Sequence, residues 1–407
     1  MPRIQVSSRG IKAALKKFTP LQSIAEYAWN GFDAGATKID IAFELNALGR
    51  VESLSVRDNG SGIDHALLKE KFEPLFESRK ALAAAALRRH RSALHGRNGI
   101  GRLTFFTFAA GACWETVYAG KASNRTYEIF ANSENINFYS GIDASPKATE
   151  KTTGTLVRFS GVHAFGGENF EVILRSFLAK EFGWFLELGR ARGFSLTVNN
   201  QPLSWEELVH RRYRESFTHS RSGVTFTLDA VLWKEKFPNE ASHYYYLGAD
   251  GAERWKERSA ARSSWQMLPH SVFIRSAYFD DFIFSSDEQT QEPLLGKTRS
   301  DSAWRSMRRA VFSLLRSIAD PYSQIQIDEA IFACTEKGYV FQNEDFVRSM
   351  LSSMERAEKP LPKSLGTPQR AAFALLLDSL SQAPRLSEAA KGLGDLLGFP
   401  QSENDQQ

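Results

Sequence analysis

The sequence predicts an α+β chain of several units, and three observations carry that reading. A well-delimited amphipathic helix, Leu21 to Ala36, is followed by alternating strand patterns that run into glycine-bearing loops. A second run of strand patterns starts near Phe194 and closes on a helix-like stretch, Ser302 to Asp320. From Tyr322 to about Pro400 the pattern is mainly helical, with a break at Lys359 to Pro368. Length agrees, since 407 residues exceed what one compact core accommodates. The expected units are residues 1–165, 166–320 and 321–407, the last ending in a polar tail, SENDQQ, expected to be mobile.

Composition narrows the class. Apolar residues at 42% and charged residues at 24% describe an ordinary globular protein and exclude disorder as the default. With 51 basic and 47 acidic residues the net charge is only +4, so any nucleic-acid site must come from local clustering. Cys113 and Cys334 match no zinc or disulfide spacing and suit a reducing compartment. The N-terminal MPRIQVSSRGIKAALKKF lacks the apolar run of a secretory signal. No stretch approaches the roughly 20 apolar residues of a membrane span. The expectation is a cytoplasmic protein without a membrane partner.

Within the first unit, Arg3 to Val6 alternates like a strand and Ile11 to Phe18 like a short amphipathic helix. Thr19 can cap the next helix, Pro20 suits its first turn and Gly35 its end. On that helix Glu26, Asn30 and Asp33 fall at i, i+4 and i+7, while Ile24, Ala25, Ala28, Trp29 and Phe32 supply packing surface. Alone, such a stripe reads as a solvated face. Two strands follow, KIDIAFEL and RVESLSVRD, the second running into Asp58-Asn59-Gly60-Ser61-Gly62. Two glycines beyond a strand-end carboxylate let the backbone turn sharply and approach a flat ligand. His65 to Arg91 is helical in propensity and basic, and leads to Gly96-Arg97-Asn98-Gly99-Ile100-Gly101-Arg102. A glycine-rich turn opening a helix presents backbone N–H groups that suit phosphate. Strand patterns recur in CWETVYAG, RTYEIFAN, NINFYSG and Gly154 to Phe159.

In order, the chain carries E-x-x-x-N-x-x-D-A (Glu26, Asn30, Asp33, Ala34), D-x-G-x-G (Asp58, Gly60, Gly62), G-x-x-G-x-G (Gly96, Gly99, Gly101) and G-T (Gly154, Thr155). Each is weak singly, and together they resemble the GHKL ATPase superfamily, the Bergerat-fold group. The resemblance covers roughly residues 1–165 and implies a two-layer α/β sandwich that binds ATP with Mg2+. It implies Glu26 as general base for water, Asn30 as Mg2+ ligand and Asp58 as acceptor for the adenine amino group. Gly60 and Gly62 would pass beside the base, and Thr155 would support Asp58 or a bridging water. The loop from His95 to Arg102, with Gly96, Arg97, Asn98, Gly99, Ile100, Gly101 and Arg102, would form the hinge of a lid. Its amides, with Arg97 or Arg102, would offset phosphate charge. Asp33 stays open between a nucleotide contact and a helix-end carboxylate holding the next loop. Tyr27 and Gly31 stand where the family usually has Leu and Ala or Ser, and neither is expected to carry chemistry.

The strands-then-helix order of the second unit resembles the transducer domain of the gyrase, MutL and heat-shock-chaperone branch, where a basic residue reaches the γ-phosphate. Lys297 in LLGKTRSD is the candidate here, with Arg299 second. A histidine kinase is disfavoured, because no His precedes Leu21. The resemblance implies an ATP-gated homodimeric clamp of the heat-shock-chaperone, MORC or MutL type, whose N-terminal segment Met1 to Phe18 exchanges between partners. Other protein subunits would join it in a multiprotein system, with bacterial phage defence as one setting. The alternatives are a nucleic-acid-binding or DNA-remodelling ATPase, using the basic lid and Arg211, Arg212, Arg214 and Arg221, and an ATP sensor without turnover.

Overall fold

The computed structural model describes residues 8–72, 101–136, 138–167, 169–259, 268–284, 297–356 and 367–381. Its first sheet grows from the two alternating strands. In β1 (Lys38–Leu45) Ile39, Ile41 and Phe43 are buried, and in β2 (Val51–Asp58) Val51, Leu54 and Val56, so both strands turn an apolar face the same way. They pair antiparallel, with Ile39 opposite Asp58. Six more strands join them: β3 (Gly111–Ala119), β4 (Asn124–Asn132), β5 (Lys147–Thr149), β6 (Gly154–Ser160), β7 (Ser195–Val198) and β8 (Gln201–Pro202). The order is β5-β4-β3-β6-β2-β1-β7-β8, antiparallel throughout except for β1 and β7.

That parallel pair corrects the placement of FSLTVNNQPL, which the sequence assigns to the second unit. Lys38 lies opposite Ser195 and Ile41 opposite Val198, so the first sheet continues well past residue 165. A parallel neighbour needs a crossover, and the helix Phe170–Gly189 provides it. That helix buries Leu174, Leu178, Phe182, Trp184 and Phe185 and so reads as apolar nearly all round. NINFYSG is likewise not a strand. Phe138 turns its N–H back to Asn135, Gly141 takes a φ of +102°, and Tyr139 alone bridges to Ala131.

After a first helix, α1 (Ser8–Leu15), the polar-striped helix, α2, runs Pro20–Asp33. Thr19 and Gln22 close a capping box at its start, worth about 1 kcal/mol, and Gly35 leaves it at a φ of +82°. Trp29 anchors it, packing 4.5 Å from Phe182 and 5.0 Å from Phe185, centroid to centroid, and donating its indole N–H to the buried Glu181 at 2.8 Å.

The second sheet contains β9 (Val209–Thr218), β10 (Thr225–Trp233), β11 (His243–Leu247), β12 (Glu253–Arg258) and β13 (His270–Arg275), in the order β12-β11-β13-β10-β9. Phe226, Leu228, Tyr244, Tyr246, Val272 and Ile274 pack on the helix Ser302–Thr335. Val231, Trp233, Tyr245, Leu247 and Phe273 face the other way and join the core of the first sheet. The two sheets therefore share one apolar layer. The far end of the long helix forms a small third core with the helices Glu344–Arg356 and Thr367–Ser381. Among the described residues no helix is long and apolar enough to cross a membrane.

Candidate active site

Ser23 and Tyr27, four residues apart on α2, hold the 3₁₀ helix Gly101–Thr107. The Thr107 hydroxyl donates to Ser23 Oγ at 2.7 Å, and the Thr104 hydroxyl to the Gly101 carbonyl at 2.7 Å. Tyr27 Oη donates to the Arg102 carbonyl at 2.8 Å and accepts from the Phe105 N–H at 3.2 Å. Burial pushes the Tyr27 phenol far up, so it stays neutral and serves as a fixed double anchor. These bonds seat Gly101 against the neighbouring polar stripe. A Cβ built on Gly101 would stand 2.6 Å from Glu26 Oε2 and 3.8 Å from Asn30 Nδ2. Glu26 and Asn30, both half-buried, thus converge on one glycine.

Asp58 ends β2 one step away. Its Oδ1 accepts from the Gly60 N–H at 2.8 Å and the Thr155 N–H at 3.3 Å, leaving Oδ2 for another donor. Burial raises the carboxyl above the ordinary aspartate range, and the N–H groups of Gly60 and Thr155 pull it partly back. Thr155 therefore supports Asp58 through its backbone. Its hydroxyl goes instead to Thr116 at 3.1 Å, and Thr116 also receives the Ile63 N–H at 2.8 Å. Gly31 lets β2 lie close to α2, since a Cβ there would meet Asp58 Cβ at 2.8 Å and Ile39 Cδ1 at 2.5 Å. At Gly62, with φ at +70°, a Cβ would collide with the Val117 carbonyl. Ser61 N–H closes the loop onto the Ala34 carbonyl at 3.0 Å, immediately beyond Asp33, the half-buried last residue of α2.

Glu26, Asn30, Asp58, Gly60, Gly62, Gly101 and Thr155 are therefore held by one set of contacts between α2, the strand ends and the 3₁₀ helix. Gly96, Arg97, Asn98, Gly99 and Ile100 lie outside the described residues, as do the first seven residues and the polar tail. Arg102, expected at the phosphates, is in contact with Phe72. Its guanidinium donates to the Phe72 carbonyl at 2.6 Å and lies over the Phe72 ring. Burial there brings its pKa down to about 10. Lys297 makes its described contacts within the second unit, where its ammonium pairs with Asp281 at 3.5 Å and sits over Tyr278. Arg299 is likewise held there, by Glu257 at 3.2 Å. The expected basic cluster is partly neutralised: Arg212 is chelated by Glu187 and Glu206, and Arg214 pairs with Asp229 at 3.1 Å.

Sequence reasoning missed Tyr27, Gly31, Ser23 and Thr116. Tyr27 and Gly31 carried a signal, since both depart from the residues usual at their positions. Ser23 and Thr116 carried none, because a hydroxyl's partner is set by packing.

Among the described residues no three His, Cys, Asp or Glu side chains gather into a metal cage. One carboxylate and one amide at Gly101 suit an ion held mainly by phosphates and water, as Mg2+ is.

Residues 18–155 match the model of a family described as histidine kinase-, DNA gyrase B- and HSP90-like ATPase. The chain is also similar to the ATPase region of Saccharomyces cerevisiae topoisomerase II, at 13% identity over 63% of this chain and 72% of that one, with a TM-score of 0.36. The same region bound to ICRF-187 (dexrazoxane) is 12% identical over 63% and 73%, with a TM-score of 0.35. These superpositions are loose and position no side chain. No curated protein matches the sequence.

Proposed function

We propose, from the match of residues 18–155 to a family described as histidine kinase-, DNA gyrase B- and HSP90-like ATPase, that this chain is a GHKL ATPase that binds ATP with Mg2+ and hydrolyses it. The observation that carries the reading is the convergence of Glu26 and Asn30 on Gly101, at the end of the glycine-rich segment. In this reading Glu26 accepts the proton of the attacking water, and its contact with Gly101 fixes where the carboxylate sits. The Asn30 amide oxygen would hold Mg2+, which when bound offsets phosphate charge. Asp58 Oδ2 accepts from the adenine amino group, while the two N–H bonds to Oδ1 fix the carboxylate plane. A guanine would set a carbonyl oxygen against that carboxylate and be repelled. Gly96 to Ile100, directly before Gly101, are assigned to the phosphates. Asp33 is assigned to holding the loop that receives the adenine. Lys297, with Arg299 second, is the basic residue assigned to the γ-phosphate, which it would reach by leaving Asp281.

The same reading makes the chain an ATP-gated clamp that pairs two copies through the N-terminal unit. A polar link supports communication between its parts. Glu181 accepts from Trp29 on α2 and, at 2.9 Å, from Asn239 Nδ2 in the second unit. The free thiols Cys113 and Cys334 support a cytoplasmic setting. Glu26→Ala tests the assignment: hydrolysis should fall about 10²- to 10⁴-fold while ATP affinity holds. Hydrolysis at the parent rate would sink it. A monomeric mass in the presence of a non-hydrolysable ATP analogue would sink the clamp.

A further inference from the structure

The long helix Ser302–Thr335 has an orientation set by its apolar side. Trp304, Met307, Val311, Leu314, Leu315 and Ile318 are buried in the second core. The opposite side exposes Arg305, Arg309, Phe312 and Arg316, at i, i+4, i+7 and i+11. At 100° per residue these four fall within one narrow stripe, about 16 Å long. From Ser302 to Ala319 the helix holds four basic residues, Arg305, Arg308, Arg309 and Arg316, of which only Arg308 is in an ion pair with a described residue. No acidic residue lies between Ser302 and Ala319.

Several arginines of the second unit are neutralised. Arg212 has Glu187 and Glu206, Arg214 has Asp229, and Arg308 has Glu257. Arg305, Arg309 and Arg316 are exposed and form no ion pair with any described residue, and Arg309 makes only a local hydrogen bond to Ser306 Oγ at 3.3 Å. Arg308 lies over the ring of Phe312, so an aromatic face sits inside the basic stripe. A row of unpaired guanidiniums at this spacing suits a partner that repeats anionic groups along a line, and over 16 Å a nucleic-acid strand presents several phosphates.

We propose that this face of the Ser302–Thr335 helix, from Arg305 to Arg316, binds the phosphate backbone of a nucleic acid. The inference goes beyond the ATPase reading and does not depend on it, because binding is measured without nucleotide.

The test is fluorescence anisotropy of a labelled duplex and a labelled single strand with the full chain, over about 50 to 200 mM salt. The triple variant Arg305→Gln, Arg309→Gln, Arg316→Gln should bind more weakly. Its plot of log affinity against log salt should be shallower by about 2 to 3 for duplex, from about 0.9 per lost phosphate contact. The corresponding triple Lys variant should keep the parent slope, since charge is retained. An unchanged melting temperature shows that the Gln variant is folded, as expected for exposed side chains. Parent protein that binds neither nucleic acid, or a Gln variant with the parent affinity and slope, overturns the proposal. Binding to vesicles of anionic phospholipid without binding to nucleic acid overturns it too, in favour of a membrane surface.

Discussion

Gly101→Ala separates the position of the general base from everything else in the site. Gly101 is not one of the glycines at positive φ, so alanine can adopt its backbone. The new methyl would stand 2.6 Å from Glu26 Oε2, where ordinary contact begins at 3.4 Å, so the carboxylate must retreat by about 0.8 Å. Asn30 Nδ2, at 3.8 Å, need not move. Misplacing a catalytic group by about 1 Å costs up to about 10²-fold in rate, or about 2.7 kcal/mol of barrier. The expected result is a turnover number lower by about 10- to 100-fold. The displaced group is the end of a flexible side chain, so the melting temperature should shift by no more than about 2 °C. ATP affinity should match the parent. Steady-state phosphate release, nucleotide titration and a thermal melt check the three parts. Turnover at the parent rate would refute the contact between Gly101 and the working carboxylate. Lost ATP binding in a variant that melts normally would refute it as well, by making Gly101 a nucleotide contact.

Asp58 makes a pH prediction with a definite sign. Its folded-state pKa lies above the ordinary aspartate value, so the stability contributed by its neutral form is present at low pH and lost as pH rises through the raised value. Asp58→Asn should therefore melt higher than the parent at neutral pH while binding ATP more weakly; a variant less stable there would contradict the burial argument. ATP binding by the parent should weaken as pH falls through that raised value, and titrations at stepped pH would show whether the variant lacks the step. Tyr27→Phe removes the acceptor of the Phe105 N–H and the donor to the Arg102 carbonyl, at a cost of about 1–3 kcal/mol in stability, read by denaturant unfolding. It should also lower turnover more than ATP affinity, because the 3₁₀ helix that seats Gly101 loosens; unchanged turnover would detach Tyr27 from the site.

The polar stripe of α2 was legible because 3.6-residue periodicity is local. Glu26, Asn30 and Asp33 could be placed on one face without knowing what that face meets. Strands β1 and β2 were legible for the same reason, and so were the glycines that their loops require. The helix Phe170–Gly189 was not, because a segment buried on nearly all sides shows no periodic contrast between faces. Nor was the parallel pairing of β7 with β1, which joins residues more than 150 positions apart and leaves no trace in either strand's own pattern.

By itself the sequence determined which residue types could do chemistry and their order along the chain: an acid and an amide one helical turn apart, a strand-end carboxylate, and glycines that let backbone come close. Tertiary structure alone decided which of them meet. It set Gly101 against Glu26 through Tyr27 and Ser23, and gave Thr155's N–H to Asp58 but its hydroxyl to Thr116. It turned Arg102 to Phe72 and kept Lys297 with Asp281. The reason is reach. A short side chain such as Glu26 or Asp58 stays where its own turn or strand end points it, so local pattern fixes its direction. A long flexible cation goes to whichever partner the packed chain brings within a few ångströms.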